Sequence, residues 1–341
     1  MASGPQLTAR SQSAEQEYLR LLAASSTKEL EDRIVNSLTT ALIEASPDSA
    51  IPVRLSMVAD RFQVKPEPKL VRGHYDGELE FDPVDQRFVI TLCTDHPELP
   101  LFKLPHQTRL RFTYAHELAH RFFYVRAGES WLRARDLATQ TLRLADQMEQ
   151  RITLGRLEER LCNKIAARVL IPDRYISDGC DLGAWFSDSR QFYLRLSSEA
   201  RSLGVSRDCL LIRLRETASR CQMGPHVAFI VGRSAGPINK RAAFTLRVLT
   251  SLSPAEIGGQ KLSVYPGMEV EKLGETAAKF FCSLIGMSSQ EEGRVQVPIC
   301  LGHKKKSMAN LDGCWRVLNA QNRVNSSGDS RILLWGRLTL A

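Results

Sequence analysis

The residues His116-Glu117-Leu118-Ala119-His120 form a His-Glu-x-x-His pentad. On a helix this spacing puts two imidazoles one turn apart on one face, where both can bind the same zinc ion. Glu117 does not ligate in such a pattern. It is positioned to take a proton from the activated water and pass it to a leaving amine. A third ligand is expected from a second helix, in the run Leu157-Glu158-Glu159-Arg160-Leu161-Cys162-Asn163, where Glu159 follows His120 by 39 residues. Glu158 is its rival, because helix phase alone does not separate adjacent carboxylates. Three protein ligands leave the fourth position to water, which distinguishes a catalytic zinc from a structural one. The expected cofactor is one catalytic zinc ion, with manganese as the substitute.

Other residues near the motif invite weaker roles. Asn163, one turn after Glu159, is placed either to orient its carboxylate or to make a local helix hydrogen bond. Cys162 reads as a small buried helix residue rather than a redox thiol. His74, His106, Tyr114 and Tyr124 are candidates to steady an oxyanion, and the sequence does not choose among them.

These side chains need elements to hold them. The pentad predicts a helix from Gln107 to about Val125, with no Pro or Gly to interrupt it. The carboxylate predicts another from about Arg156 to Leu170, stopped by Pro172. On that helix Leu154, Leu157, Leu161, Ile165 and Val169 form an apolar stripe, and Glu159, Asn163, Ala166 and Leu170 fall on the opposite side. A mixed-polarity helical stretch is expected between them, from Leu132 to Met148. Upstream, residues 1–13 read as disordered, and helices are expected over Glu15–Ala24, Lys28–Ala45 and Leu55–Phe62. Strands are expected near Lys69–His74 and Gln86–Leu92.

Ser187–Ala218 reads as two helices joined at Leu203-Gly204-Val205-Ser206, with Gly204 in the turn and Ser206 as a cap. The spacing is compatible with a helix-turn-helix. After Gly224-Pro225 the pattern turns to strands: Val227–Val231, Ala243–Thr250, Lys279–Ile285, Arg294–Ile299, Trp315–Leu318 and Arg331–Trp335. Ser326-Ser327-Gly328 reads as a loop.

The chain has 341 residues, 43% of them hydrophobic and 25% charged, which is ordinary for a globular protein of two or three domains. The N-terminus lacks the basic-then-apolar layout of a secretory signal, and no apolar run reaches a membrane span, so the expectation is cytoplasmic with no membrane partner. The eight cysteines are scattered and read as reduced. The net charge of +8 and pI near 9.1 favour acidic partners. Much of the positive charge lies around the pentad (Arg109, Arg111, Arg121, Arg126, Arg133, Arg135) and in Lys304-Lys305-Lys306.

The segments Thr113-Tyr114-Ala115-His116-Glu117-Leu118-Ala119-His120 and Glu159-Arg160-Leu161-Cys162-Asn163-Lys164-Ile165-Ala166-Ala167-Arg168-Val169-Leu170-Ile171-Pro172 resemble the ImmA/IrrE metallopeptidases. That family follows its His-Glu-x-x-His helix with a Glu-x-x-[Ala/Cys]-Asn-x-x-Ala-Ala-x-x-Leu-[Met/Ile]-Pro helix. The resemblance covers roughly residues 50–215 and puts the third ligand at Glu159. Length and layout are similar to the longer, IrrE/PprI-like branch. An α+β fold is then implied: a zincin-like metallopeptidase domain over 1–172, a helix-turn-helix-like segment over 173–222 and a GAF-like regulatory domain over 223–341. The implied activity is site-specific cleavage of a helix-turn-helix transcriptional repressor, which would derepress stress-response or mobile-element genes. The long, Arg-rich spacer between His120 and Glu159 departs from the family pattern. The alternative is a DNA- or protein-binding regulator with a structural or vestigial zinc.

Overall fold

The computed structural model describes residues 28–45, 52–69, 77–94, 107–128, 130–139, 144–179, 182–187, 189–217, 226–234, 245–252, 256–257, 260–261, 264, 268–284, 287, 291–300, 308–318 and 331–340. The expectations for residues 1–13, Glu15–Ala24, His74, His106, Lys304-Lys305-Lys306 and Ser326-Ser327-Gly328 lie outside the described residues. The fold is α+β, with a multi-strand sheet in the C-terminal region. The chain divides into two compact units, one of residues 1–172 with 202–205, the other of 173–201 with 206–341.

In the first unit, α1 (Lys28–Glu44) and α2 (Leu55–Arg61) lead into a three-stranded sheet of β1 (Val64–Lys69), β2 (Gly77–Asp82) and β3 (Arg87–Cys93). The order is β1-β3-β2, with β1 parallel and β2 antiparallel to the centre strand. Burial alternates along β3, where Phe88, Ile90 and Leu92 turn inward. Beyond Lys69 the strand expected at Lys69–His74 lies outside the described residues; β1 itself, Val64–Lys69, was not expected as a strand. Its two prolines, Pro66 and Pro68, donate no ladder hydrogen bond, and the edge position tolerates them.

Next comes α3 (Gln107–His120), which carries the pentad and packs on β2 and β3. It ends at His120, not at Val125. A short 3-10 turn, Arg121–Phe123, follows, then a hairpin of β4 (Tyr124–Ala127) and β5 (Ser130–Arg133) that turns through Gly128 at φ +65°. Burial of Phe122 and Phe123 and the seating of Arg121 in the corner formed by the edge-to-face rings of Phe88 and Trp131, 4.1 Å from each centroid, hold the chain off the helical path. The helix expected over Leu132–Met148 is therefore the end of β5, α4 (Ala134–Thr139) and the start of α5 (Leu144–Leu170).

Helix α5 is 27 residues long and is the spine of this unit. Leu154, Leu157, Leu161, Ile165 and Val169 are all buried, as their stripe predicts. The opposite side is not uniform: Ala166 and Leu170 are fully buried, while Glu159 and Asn163 are exposed. Helix α1 packs on α5 through Ile34, Val35, Leu38 and Leu42.

The second unit starts with α6 (Asp173–Gly179), α7 (Leu182–Ser187), α8 (Ser189–Ser202) and α9 (Arg207–Thr217). The corner between α8 and α9 forms as expected: Gly204 has φ +63°, and Ser206 Oγ accepts the Cys209 N–H at 3.1 Å as an N-cap. Five antiparallel strands then build one sheet in the order β10-β11-β12-β6-β7. They are β6 (His226–Ser234), β7 (Thr245–Leu252), β10 (Glu292–Cys300), β11 (Met308–Leu318) and β12 (Arg331–Leu340); a two-residue ladder of β8 (Glu256–Ile257) and β9 (Gln260–Lys261) lies apart from them. The strand expected at Lys279–Ile285 is instead α10 (Glu275–Leu284). Ala277, Phe281 and Leu284 are its buried residues, at helical spacing, and they join the core of Phe229, Val297, Leu311 and Leu334. On the other side of the sheet Phe192 of α8 stacks on Trp335, with centroids 5.9 Å apart. Helices thus cover both faces, and β12 reads as an unbroken apolar run, Ile332-Leu333-Leu334-Trp335.

Candidate metal centre

Helices α3 and α5 pack against each other, and each carries small buried residues, Ala115 and Ala119 on α3, Ala166 and Ala167 on α5. The contact brings the pentad to the acidic pair of α5. His116 Nε2 lies 3.0 Å from His120 Nε2 and 3.1 Å from Glu159 Oε2, and His120 Nε2 lies 3.4 Å from Glu159 Oε1. One ligand atom from each of the three residues falls within 4.8 Å of the others, and the group could hold a metal ion. The histidine side chains are 12% and 3% exposed, whereas Glu159 is 52% exposed. The cluster therefore closes toward the core and opens on the Glu159 side.

Glu158 points elsewhere. It is fully buried, and its Oε1 accepts the Nδ1–H of His120 at 2.7 Å. Arg133 Nη1 and Arg135 Nη1 stand 3.6 and 3.7 Å from its two carboxylate oxygens. A buried carboxylate is costly unless paired, and here one imidazole and two guanidinium groups pair it. The support continues outward: Arg133 Nε donates to the Tyr124 hydroxyl at 3.1 Å, and that hydroxyl donates to the Leu79 carbonyl of β2 at 2.9 Å. A line of polar contacts thus runs from β2 through the β4–β5 hairpin to the far side of the His120 ring.

This line bears on whether the residues suit a cation. With Nδ1–H committed to Glu158, a neutral His120 presents a lone pair at Nε2. That lone pair faces the second imidazole nitrogen and a carboxylate oxygen. Three electron-rich atoms at such distances repel unless a proton or a cation lies among them. Two imidazole nitrogens and one carboxylate are the donor set of an open zinc site, so the residues fit the ion. The electrostatics agree. Burial alone would disfavour a charged His120, but contacts with Cys162, Glu158 and Glu159 outweigh it and hold the imidazole well above its ordinary range. Hydrogen bonds to His116 and His120 hold the Glu159 carboxyl well below its range.

Glu117 is 6% exposed. Burial raises its carboxyl above the ordinary range, and the nearby imidazoles of His120 and His116 partly offset this. Gly77 of β2 faces it closely: a Cβ there would come within 2.6 Å of Thr113 Cγ2 and 3.3 Å of Glu117 Cγ. The missing side chain lets the strand lie against α3 beside the carboxylate.

The remaining candidates sort by what they touch. Tyr124 is committed to Leu79 and Arg133, so it is a brace and not an oxyanion donor. Tyr114 is buried, its hydroxyl has no hydrogen-bond partner among the described residues, and burial with the nearby Asp60 carboxylate pushes its phenol up. Cys162 is fully buried and its thiol is pushed up to about 11, chiefly by burial, as befits an inert core thiol. Asn163 shares with Glu159 a cavity of about 760 Å³ along α5. Arg111, one of the arginines around the pentad, donates to the Val53 carbonyl at 2.6 Å. Arg133 and Arg135 are the functional residues that sequence reasoning missed. They register there only as positive charge, and no spacing rule ties them to Glu158.

No protein-family model matches the chain, and no curated protein matches it. Among solved structures, a Mycobacterium tuberculosis transcriptional regulator is similar at 14% identity and a TM-score of 0.46, over 96% of this chain and 81% of that one.

Proposed function

We propose that this chain is a zinc-dependent endopeptidase of the ImmA/IrrE type, and that its substrate is a helix-turn-helix repressor cut at one site. The observation that carries this reading is the convergence of His116, His120 and Glu159 within 4.8 Å, open on one side and flanked by the buried Glu117. His116, His120 and Glu159 would hold the ion. When bound, it supplies a Lewis acid that activates water and polarises a carbonyl.

The protein's own residues do the rest. Glu117 takes the proton of the attacking water and returns it to the departing amine. Its raised pKa suits a group that must both accept and donate. Glu158 fixes the His120 ring by accepting from Nδ1, so that Nε2 faces the ligand cluster. Among the described residues strand β2 is at the edge of its sheet, beside Glu117, and an extended substrate can pair with such an edge.

The alternative, a DNA-binding regulator, leans on the α8–α9 corner. Helix α9 buries Leu210, Leu211 and Leu214 and packs on β7, which leaves it a small exposed face. The experiment is incubation of the zinc-loaded protein with candidate repressors, beside Glu117→Gln. A single cut made by the parent protein alone is expected. Equal cleavage by both would remove Glu117 as the base. Salt-dependent DNA binding that survives Glu117→Gln, with no partner cut, would favour the regulator.

A further inference from the structure

We propose that the exposed face of α5 beside Glu159 is a docking groove for an acidic, partly apolar segment of the protein that the site cuts. The inference rests on the peptidase reading for the identity of the occupant, and on the groove itself for its chemistry.

Met148, Ile152, Gly155, Glu159 and Asn163 follow one another at helical spacing and share a face. That face is not covered: Met148 is 71% exposed and Ile152 51%. Isolated exposed apolar residues need no explanation, but these two lie in line with the ligand carboxylate on one helix. Gly155, between them and Glu159, adds no side chain to the floor, and a Cβ there would sit 3.1 Å from Arg135 Nη1 as that side chain passes toward Glu158.

The walls are basic. Arg135, Arg151, Arg156, Arg160 and Lys164 line the groove against two carboxylates, Asp136 and Glu159. Arg160 and Lys164 also share Glu31 of α1. Two cations on one carboxylate leave positive charge over, and a divalent ion at Glu159 would add more. A carboxylate-bearing partner is the complement of such a surface.

Length sets the register. At 1.5 Å per residue, Met148 to Glu159 spans about 16 Å, which is about five residues of extended chain. A substrate held at the metal cluster would therefore lay about five residues along α5, with apolar side chains on Ile152 and Met148 and acidic ones against Arg156, Arg151 being paired with Asp136 at 3.6 Å. Nucleic acid fits less well. None of the described residues lining the groove is aromatic, so bases find no stacking platform.

The test uses the full chain as Glu117→Gln, zinc-loaded, with three labelled probes in fluorescence anisotropy: a Glu/Leu decapeptide, its Lys/Leu counterpart and an oligothymidylate of equal length. The acidic peptide is expected to bind at least about tenfold more tightly than the basic one, and less tightly as salt rises. Arg156→Glu should abolish that preference and Arg156→Lys should keep it. Equal binding of the two peptides, indifference to Arg156→Glu, or preferential oligonucleotide binding lost in Arg156→Glu would each overturn the proposal. Acid-selective binding without cleavage of any repressor by the parent protein would count against the peptidase reading alone. Cleavage without acid selectivity would count against the groove alone.

Discussion

The division of labour between Glu158 and Glu159 is decided at single side chains. Both lie on α5, yet one is fully buried and the other half exposed, because successive helix residues are about 100° apart. Glu159 faces His116 and His120, and Glu158 faces the back of His120. Glu158→Gln keeps the shape and removes the charge that the Nδ1–H meets. Loss of such a partner typically weakens a metal site about 10- to 100-fold, so a competition titration with a chromogenic zinc chelator should show a drop of that order. Glu117→Gln should keep zinc and lose hydrolysis by roughly 10²- to 10⁴-fold, because it touches proton transfer only. The acid side has a sign as well. His120 is held above the ordinary imidazole range in the metal-free protein, so it carries a proton that zinc must displace. Apparent zinc affinity should rise with pH through that range, and calorimetry in two buffers of different ionisation heat should detect proton release. Buffer-independent heats would contradict the assignment.

At the scale of elements, α3 is held by what packs on both of its sides. Strand β2 approaches it only because Gly77 lacks a Cβ. Gly77→Val forces atoms into Thr113 and Glu117, and overpacking of this kind costs about 1–3 kcal/mol; urea unfolding should register a loss in that range. An unchanged midpoint would mean that the strand moves away freely. The same scale shows what was legible in the sequence. The α5 stripe was, because Leu154, Leu157, Leu161, Ile165 and Val169 obey a period that burial then respects. The clustering of His116, His120 and Glu159 was legible in part: the pentad pairs the two imidazoles, whereas helix phase left Glu158 and Glu159 as rivals and only the family resemblance chose Glu159. The end of α3 was not: no residue after His120 breaks a helix, and the Arg121 guanidinium is held in the corner of two edge-to-face rings, Phe88 and Trp131, that come from other elements. Helix α10 was misread because Lys279-Phe280-Phe281 looks like strand by composition, while Ala277, Phe281 and Leu284 keep helical spacing. Glu158 was legible only as a rival ligand, since its partners Arg133, at the end of β5, and Arg135, at the start of α4, come from elements that the sequence did not announce.

At the scale of the molecule, the candidate ligands His116, His120 and Glu159 all belong to one of the two compact units, and within it to helices α3 and α5. A ligand that binds the folded site and not its open form stabilises by RT ln(1 + [L]/Kd), about 2.7 kcal/mol at a hundredfold excess over Kd. That free energy appears only where opening breaks the ligand set. Zinc should therefore slow amide exchange in α3 and α5 by up to roughly a hundredfold, the factor that such a stabilisation represents, and a chelator should restore the faster rate. Strands β11 and β12, whose ladder holds no ligand and closes on its own core around Leu311 and Leu334, should exchange alike with and without the ion. His120→Ala should abolish the protection of α3 and α5 while leaving the β11–β12 amides as slow as before. Hydrogen exchange read by mass spectrometry resolves these segments separately. Protection spread evenly over both units, or found in β11 and β12 alone, would mean that the ion binds somewhere other than between the pentad and Glu159.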